Sequence, residues 1–149
     1  MTRISHMKQP PGSSAPHVSI AQLRRRAAGG LPGALGIEIS AVATGTLTAT
    51  MTLTESHMAT NGYLHAGAVV TLADTSCGFG CISHLPDGAT NFTTIELKSN
   101  FLRTTTRGTI RSEAKLVHAG RRTQVWDATV TDEEGRTLAL FRCTQMLIY

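Results

Sequence analysis

Lysine and arginine are absent from residues 27–97, the middle of a 149-residue chain that carries 14 of them and a net charge of +4. Five of these cations lie at or before Arg26, and the other nine lie between Lys98 and Arg142. Aromatic residues are few, and the sequence has no nucleic-acid-binding motif, so we expect no nucleic-acid partner. The charge pattern favours an anionic small molecule held at the mouth of a pocket.

Cysteine is scarce, and its three positions form neither a metal-binding nor a disulfide pattern. Cys77 and Cys81 are four residues apart on a predicted helix, Cys143 lies in a strand-like run, and CxxC is absent. This spacing predicts small buried thiols in a reducing compartment and no bound metal.

The N-terminal region has no secretory h-region, and its first thirty residues contain no acidic side chain. That composition is weakly typical of an organelle transit peptide and equally of a flexible prokaryotic N-terminus. The Pro- and Ser-rich run at residues 9–16 predicts a disordered tail over residues 1–17. Residues 18–149 suffice for a single domain, in which Ser19 is placed to cap a short helix that runs through Ala27 and ends at Gly29-Gly30. We expect a cytoplasmic protein.

Residues 61–80 form the stretch around which the chain is organised. After the Asn61-Gly62 turn and His65, apolar side chains fall on every side of a helical wheel, which predicts a helix buried on most sides. With fewer than about 20 residues and several polar interruptions it is too short to span a bilayer, and we expect no membrane partner. Asp74 lies in its middle without a local cation, which is costly for a buried carboxylate and marks a functional-site candidate.

Six segments are rich in β-branched residues or alternate between apolar and polar residues, which predicts six strands. They are residues 35–43 and 46–53 before the helix and residues 94–102, 109–118, 123–131 and 137–148 after it. Within residues 94–102 we expect Ile95, Leu97 and Phe101 to share one face. The fold class is therefore expected to be α+β, a curved antiparallel six-stranded sheet wrapped around one central helix. One helix cannot cover six strands, so we expect a homodimer or a homotetramer.

The central stretch also resembles the signature of a known family. The matching segments are Asn61-Gly62, Leu64-His65-Ala66-Gly67 and Leu72-Ala73-Asp74, followed by residues 93–102, 118–122 and 132–139. Over residues 31–149 the chain is similar to hotdog-fold acyl-CoA thioesterases of the phenylacetate-pathway (PaaI) type. The resemblance implies hydrolysis of a thioester between an acyl group and coenzyme A, with no metal and no cofactor other than the coenzyme A of the substrate.

By this resemblance Asp74 is the catalytic carboxylate, acting as general base or attacking the carbonyl carbon directly. A structural carboxylate that caps a turn is the alternative interpretation. The resemblance further implies that Asn61 positions the attacking water and that Thr94, early in the strand after the helix, belongs to the site. A threonine in a strand is also explained by β-propensity alone.

The family's His-Gly-Gly triplet at the helix start corresponds here to His65-Ala66-Gly67. The resemblance implies that Ala66 or Gly67 supplies a backbone N–H for the thioester oxygen, a place where unpaired N–H groups favour negative charge. His65 would orient the loop or polarise the carbonyl, and a structural role is the alternative. In related enzymes the loop and the carboxylate come from opposite subunits, which would place active sites at the subunit interface.

For coenzyme A, the candidates are Arg103, Arg121 and Arg122, which lie near strand ends or in turns where they can reach phosphates. A solvated sheet face is an equally good interpretation of any one of them. Two other functions suit the same fold: an acyl-thioester dehydratase or hydratase, and a non-catalytic acyl-CoA binding module. The sequence leaves the acyl group open, between an aromatic ring and a short or medium chain.

Overall fold

The computed structural model describes residues 14–149 and places six antiparallel strands in one sheet. The strands are β1 (Ile37–Ala43), β2 (Thr46–Thr52), β3 (Asn91–Phe101), β4 (Thr109–Ala119), β5 (Thr123–Thr131) and β6 (Thr137–Ile148). Their order across the sheet is β1-β2-β4-β5-β6-β3, so β1 and β3 form its edges. The predicted six-stranded antiparallel sheet is confirmed. Most of the tail predicted for residues 1–17 lies outside the described residues.

Three α-helices accompany the sheet: α1 (Ile20–Ala27), α2 (Gly30–Ala34) and α3 (Ala66–Ser83). Ser19 caps α1 as predicted, because its side chain accepts a hydrogen bond from the Gln22 N–H. The sequence did not predict α2, which begins at Gly30 just where a helix end was expected. Its proline, Pro32, lies in the first turn, where no backbone donor is lost.

The central helix α3 contacts all six strands of the sheet and completes the core. It is long and apolar enough to cross a membrane by composition, but most of it is buried inside the protein, as expected of a core helix. Glycines allow it to approach the sheet closely: a Cβ on Gly80 would lie 2.8 Å from the Trp126 ring. The predicted arrangement of a sheet around one helix is confirmed.

A buried polar network fixes the C-terminal end of α3. His84 caps the helix, with its Nδ1 2.9 Å from the Gly80 carbonyl oxygen and its Nε2 accepting from the Gly45 N–H at 2.9 Å. The Gln124 amide donates to the His84 carbonyl oxygen, and the Trp126 indole donates to Gln124. Burial lowers the pKa of His84, so the ring is neutral as this pattern of hydrogen bonds requires. The network holds the helix end to the β1–β2 turn and to β5.

Strand β3 departs from the strict alternation that its sequence predicts. Thr94 pairs with Gln145 of β6, but the next pair is Glu96 with Thr144, so Ile95 is an extra residue in a β-bulge. The expectation that Ile95 shares a face with Leu97 was therefore wrong. Because the bulge shifts the phase by one residue, Thr94 and Leu97 lie on the same face of the strand, paired with the inward positions Gln145 and Cys143 of β6.

The free edge formed by β3 carries large exposed apolar side chains. They are Ile95, Leu97, Phe101 and, just beyond the strand, Leu102, each between 43% and 56% exposed. The helix contacts β3 at Phe92 and Thr94 but leaves these four side chains exposed. The monomer therefore has an apolar border beside unpaired backbone groups.

Candidate active site

Asp74 lies in the middle of α3 and points toward the start of β3. Its Oδ1 accepts a hydrogen bond of 3.2 Å from the Thr94 hydroxyl. The side chain is half-buried, and within residues 14–149 it forms no ion pair with a Lys, Arg or His. Burial raises the pKa of the Asp74 carboxyl above its ordinary value, and the hydrogen bond from Thr94 offsets part of this increase. Such a carboxylate is a better base than an exposed one.

The N-terminus of α3 carries the second predicted group. His65 is the N-cap residue, and its Nδ1 accepts the Gly67 N–H at 2.8 Å. A Cβ on Gly67 would lie 2.9 Å from that nitrogen, so glycine makes the cap possible. The Gly67 N–H is therefore occupied by His65. The Ala66 N–H is the free donor, because within the described part of the chain it has no acceptor. Of the two predicted oxyanion donors, the geometry favours Ala66.

The carboxylate and the free donor are too far apart to act together within one protomer. Eight residues of helix separate Ala66 from Asp74, which is about 12 Å at about 1.5 Å per residue. A water-activating base and an oxyanion donor must both lie near one carbonyl group, within about 3 Å of the atoms they serve. Asp74 and the Ala66 N–H of one protomer therefore cannot act on the same carbonyl group, and we call these two separated groups half-sites.

Asn61 belongs to the loop that leads into α3. Its side-chain oxygen accepts the Tyr63 N–H at 3.2 Å, an arrangement that stabilises the turn, and the residue is exposed. In this arrangement Asn61 shapes the loop, five positions before α3 begins at Ala66. The structure does not bring it together with Thr94 and the carboxylate of the same protomer.

A small apolar pocket opens beside Asp74. Its volume is about 170 Å³, and it is lined by Pro32, Asp74, Thr75, Gly78, Phe79, Ile82 and Phe92. Phe92 packs on Gly78 so closely that a Cβ there would lie 2.8 Å from the ring. The pocket therefore runs along α3 from the carboxylate, with its width limited by this aromatic ring.

The three predicted arginines are exposed but lie at opposite ends of the sheet. The Arg103 N–H donates to the Leu138 carbonyl at the start of β6, whereas the Arg122 carbonyl accepts from Leu147 near its end. Nine residues of strand separate these two anchor points, or about 30 Å at about 3.3 Å per residue. Arg121 neighbours Arg122 in the β4–β5 turn, so these two are near each other and far from Arg103 of the same protomer.

Two residues of the site were not found from the sequence. Phe92 was placed outside the predicted strand, which was expected to start at residue 94. Gln145 is fully buried on β6 and lies 2.9 Å from the Thr94 hydroxyl. Its signal was available: it is a polar residue at an inward position of an alternating strand, where apolar side chains are expected. Among the described residues, no group of three His, Cys, Asp or Glu side chains is placed to hold a metal ion.

Removal of the Thr94 hydroxyl tests its link to the carboxylate. Thr94→Val deletes the hydrogen bond that lowers the pKa of Asp74, so the acid limb of the kcat/KM–pH profile should shift to higher pH. The base works when ionised, so the loss in rate should be larger at pH 6 than at pH 8.5. Thr93→Val, on the exposed neighbour, is the matched control and should leave the profile unchanged. Superimposable profiles for all three proteins would contradict the assignment.

Comparison with known proteins gives the class to which this fold and site belong. Residues 61–139 match the thioesterase superfamily. The chain is 33% identical over 115 residues to a 1,4-dihydroxy-2-naphthoyl-CoA hydrolase of Listeria monocytogenes, covering 77% of this chain and 93% of that one. It is also 33% identical over 110 residues to the acyl-coenzyme A thioesterase PaaI of Escherichia coli, with 73% and 76% covered.

The fold agrees with these sequence matches. A crystal structure of a mutant of thioesterase PA1618 from Pseudomonas aeruginosa superposes with a TM-score of 0.83 at 26% identity, covering 89% of this chain and 95% of that one. The chain belongs to the thioesterase superfamily, it has the hotdog fold, and it is a thioester hydrolase. Identity to the naphthoyl-CoA hydrolase and to PaaI is equal, so identity alone does not assign it to the PaaI type.

Proposed function

We propose that this protein hydrolyses acyl-CoA thioesters to a free acid and coenzyme A. Asp74 is the observation that carries the proposal: a half-buried carboxylate without a cation partner in residues 14–149, hydrogen-bonded to Thr94 and open to an apolar pocket. The names of two 33%-identical relatives, the 1,4-dihydroxy-2-naphthoyl-CoA hydrolase and PaaI, specify coenzyme A thioesters, which supports the substrate class. Cytoplasmic location is part of the same proposal, since acyl-CoA esters are intracellular metabolites handled by proteins with reduced thiols such as these.

The proposed chemistry uses Asp74 as general base. The ionised carboxylate takes a proton from a water molecule, whose oxygen attacks the thioester carbonyl carbon. Charge that develops on the carbonyl oxygen is stabilised by a backbone N–H at a helix N-terminus, the role proposed for Ala66. The carbon–sulfur bond then breaks, and the departing thiolate takes up the proton held by Asp74. Direct attack by Asp74 to form a mixed anhydride is the alternative, and single-turnover hydrolysis in ¹⁸O-labelled water would label the aspartate in that case alone.

A homodimer would complete the two half-sites. The β3 edge offers unpaired backbone and apolar side chains, so antiparallel pairing with β3 of a second copy about a two-fold axis would continue the sheet. In that pairing the start of one β3, where Thr94 contacts Asp74, lies beside the end of the other. The N-terminus of the partner's α3 would then approach this carboxylate. We propose a dimer as the minimal active unit, with a tetramer as a further assembly.

The same pairing would gather the separated arginines. Arg121 and Arg122 lie at the β6 end nearer to Thr94 and Asp74, whereas Arg103 lies at the opposite end. A two-fold axis through the β3 edge would bring the partner's Arg103 toward this end. We propose that one coenzyme A is contacted by arginines of both subunits, since all three side chains are exposed and can reach its phosphates.

For the acyl group we propose one aromatic ring or a similarly compact apolar chain, which is the PaaI-type assignment. An engineered cavity of about 150 Å³ lined by Leu, Ile and Phe binds benzene. The open pocket beside Asp74 has a similar volume of about 170 Å³, and Phe79, Ile82 and Phe92 supply most of its apolar lining. Its length ends at Ile82, and the close contact between Gly78 and Phe92 limits its width.

Substitution at the Gly78–Phe92 contact should change which acyl group is accepted. Gly78→Ala forces the Phe92 ring toward the pocket, so kcat/KM for phenylacetyl- or benzoyl-CoA should fall about tenfold or more while acetyl-CoA is less affected. Phe92→Ala enlarges the pocket and should raise the relative rate for octanoyl-CoA. Val117→Ala, at an exposed position on β4, is the control. An unchanged order of substrates in both variants would remove the pocket from the acyl site.

The experiment that tests the activity itself is a thiol-release assay with a panel of phenylacetyl-, benzoyl- and straight-chain acyl-CoA substrates. We expect thiol release that depends on enzyme concentration, with the highest kcat/KM for a ring or short chain. Formation or hydration of a double bond without release of thiol would indicate a dehydratase or hydratase. Binding of acyl-CoA without turnover would indicate a binding module.

A further inference from the structure

The Thr94 hydroxyl faces two oxygen atoms but has one proton to donate. Its Oγ1 lies 3.2 Å from Asp74 Oδ1 and 2.9 Å from Gln145 Oε1. A hydroxyl supplies one O–H donor and two acceptor lone pairs, so it can donate to one of these oxygens at a time. The other contact must then run in the opposite direction. Asp74, Thr94 and Gln145 thus form a row of hydrogen bonds. The direction of both bonds is set by whether Asp74 or Gln145 supplies a proton to the Thr94 oxygen.

Two complete patterns satisfy this row. When the carboxyl of Asp74 is protonated, it donates to Thr94, and Thr94 donates to the Gln145 oxygen. When the carboxylate is ionised, Thr94 donates to Asp74, and Gln145 must present its NH₂ group to the Thr94 oxygen. The second pattern requires the amide to turn over by 180°, which exchanges two groups of nearly the same shape.

The other side of Gln145 accepts either orientation. Its Nε2 lies 3.2 Å from Cys143 Sγ, and a thiol is both a weak donor and a weak acceptor. With the amide as placed, the N–H donates to the sulfur; with the amide turned over, the S–H donates to the oxygen. Because Gln145 is fully buried, a partner that could serve one orientation alone would leave an unsatisfied group in the other. Cys143 removes that penalty.

We propose that Gln145 is a positioning residue that keeps the Thr94 hydroxyl bonded to Asp74 in both protonation states, by turning its side-chain amide over as the carboxyl gains and loses its proton. The inference rests on the proposed function, because a general base alternates between these two states in every turnover. Because the Thr94 hydroxyl stays hydrogen-bonded to Asp74 in both protonation states, the Asp74 carboxyl keeps one position throughout the reaction.

Few titratable groups surround the hydrogen bonds that join Asp74, Thr94 and Gln145. On α3, Cys77 faces Cys143 of β6, and burial together with that contact raises the pKa of the Cys77 thiol well above its ordinary value. On β5, Asp127 is paired with Arg142 on the outer face of the sheet. On β3, Glu96 faces outward beyond the bulge and is exposed.

Side-chain NMR of the wild-type protein tests the coupling without any assay of turnover. The ¹⁵N and ¹H shifts of the Gln145 amide should change with pH at the same midpoint as the ¹³C shift of the Asp74 carboxyl. Thr94→Val should abolish the response of Gln145 while Asp74 still titrates, whereas Thr94→Ser should retain it. A Gln145 amide that does not respond to the titration of Asp74 would overturn the proposal.

A double-mutant cycle tests the kinetic consequence. Gln145→Met keeps the length of the side chain but not its hydrogen bonds, and should lower kcat about tenfold with an unchanged KM for acyl-CoA. In a Thr94→Val background the same change should have no further effect, because Gln145 acts through that hydroxyl. Independent, multiplicative losses would indicate a structural role and overturn the proposal. Wild-type protein that releases no thiol would instead refute the proposed function, and the NMR result would still stand.

Discussion

Asp74→Asn is expected to lower kcat about 10²–10⁴-fold, the contribution of a positioned general base. Asparagine has nearly the same shape but cannot take a proton from water. The KM for acyl-CoA should change much less, since the amide still fits beside Thr94. The measurement is thiol release from the best substrate of the panel, and Asp87→Asn, at an exposed acid after α3, is the matched control with wild-type activity expected.

The same variant should not be less stable than the wild type. Burial raises the pKa of Asp74 in the folded protein, so the neutral form is favoured there and the contribution of this group to stability is lost as pH rises through the folded pKa. At pH 7.5 the ionised side chain therefore costs stability that asparagine does not. The Tm of Asp74→Asn should equal or exceed that of the wild type at pH 7.5 and lose this advantage near pH 3. Near-wild-type turnover in a folded Asp74→Asn protein would refute the catalytic role.

Ala66→Pro is expected to lower kcat about 10²–10³-fold, the loss typical of a missing oxyanion donor. Proline removes the Ala66 N–H, which has no acceptor within residues 14–149, while keeping the helix, because Ala66 is the first helical position, where proline is favoured. His65 before it already has φ −67° and ψ 129°, the extended conformation that a residue preceding proline requires. Ala66→Gly keeps the N–H and should retain most of the activity. A fully active Ala66→Pro protein would exclude this donor.

Mixing the two inactive variants tests whether the site spans two subunits. In a heterodimer of Asp74→Asn and Ala66→Pro, one of the two sites combines the intact carboxylate of one subunit with the intact N–H of the other. Random reassociation of equal amounts makes half of the dimers heterodimers, so about one quarter of the wild-type activity should return. If both groups acted within one subunit, no activity would return, and the dimeric site would be wrong.

Much of the fold could be predicted from local patterns. Strands β5 and β6 begin and end where alternation predicted, and α1 follows its Ser19 cap, because period and capping are properties of neighbouring residues. The start of β3 was predicted three residues late, and Ile95 was assigned to the wrong face of the strand. A bulge depends on the register with β6, which no pattern within residues 91–101 contains.

The sequence by itself determined the buried helix, its uncompensated acid Asp74 and the histidine-led turn before Ala66, since each is a matter of residue type and spacing along one segment. Tertiary structure alone decided what surrounds them: the contact of Thr94 with Asp74, the buried amide of Gln145 behind it and the ring of Phe92 against Gly78. These contacts join residues that are 14 to 51 positions apart in the chain. Their distances follow from strand register and helix packing, which no local stretch of sequence specifies.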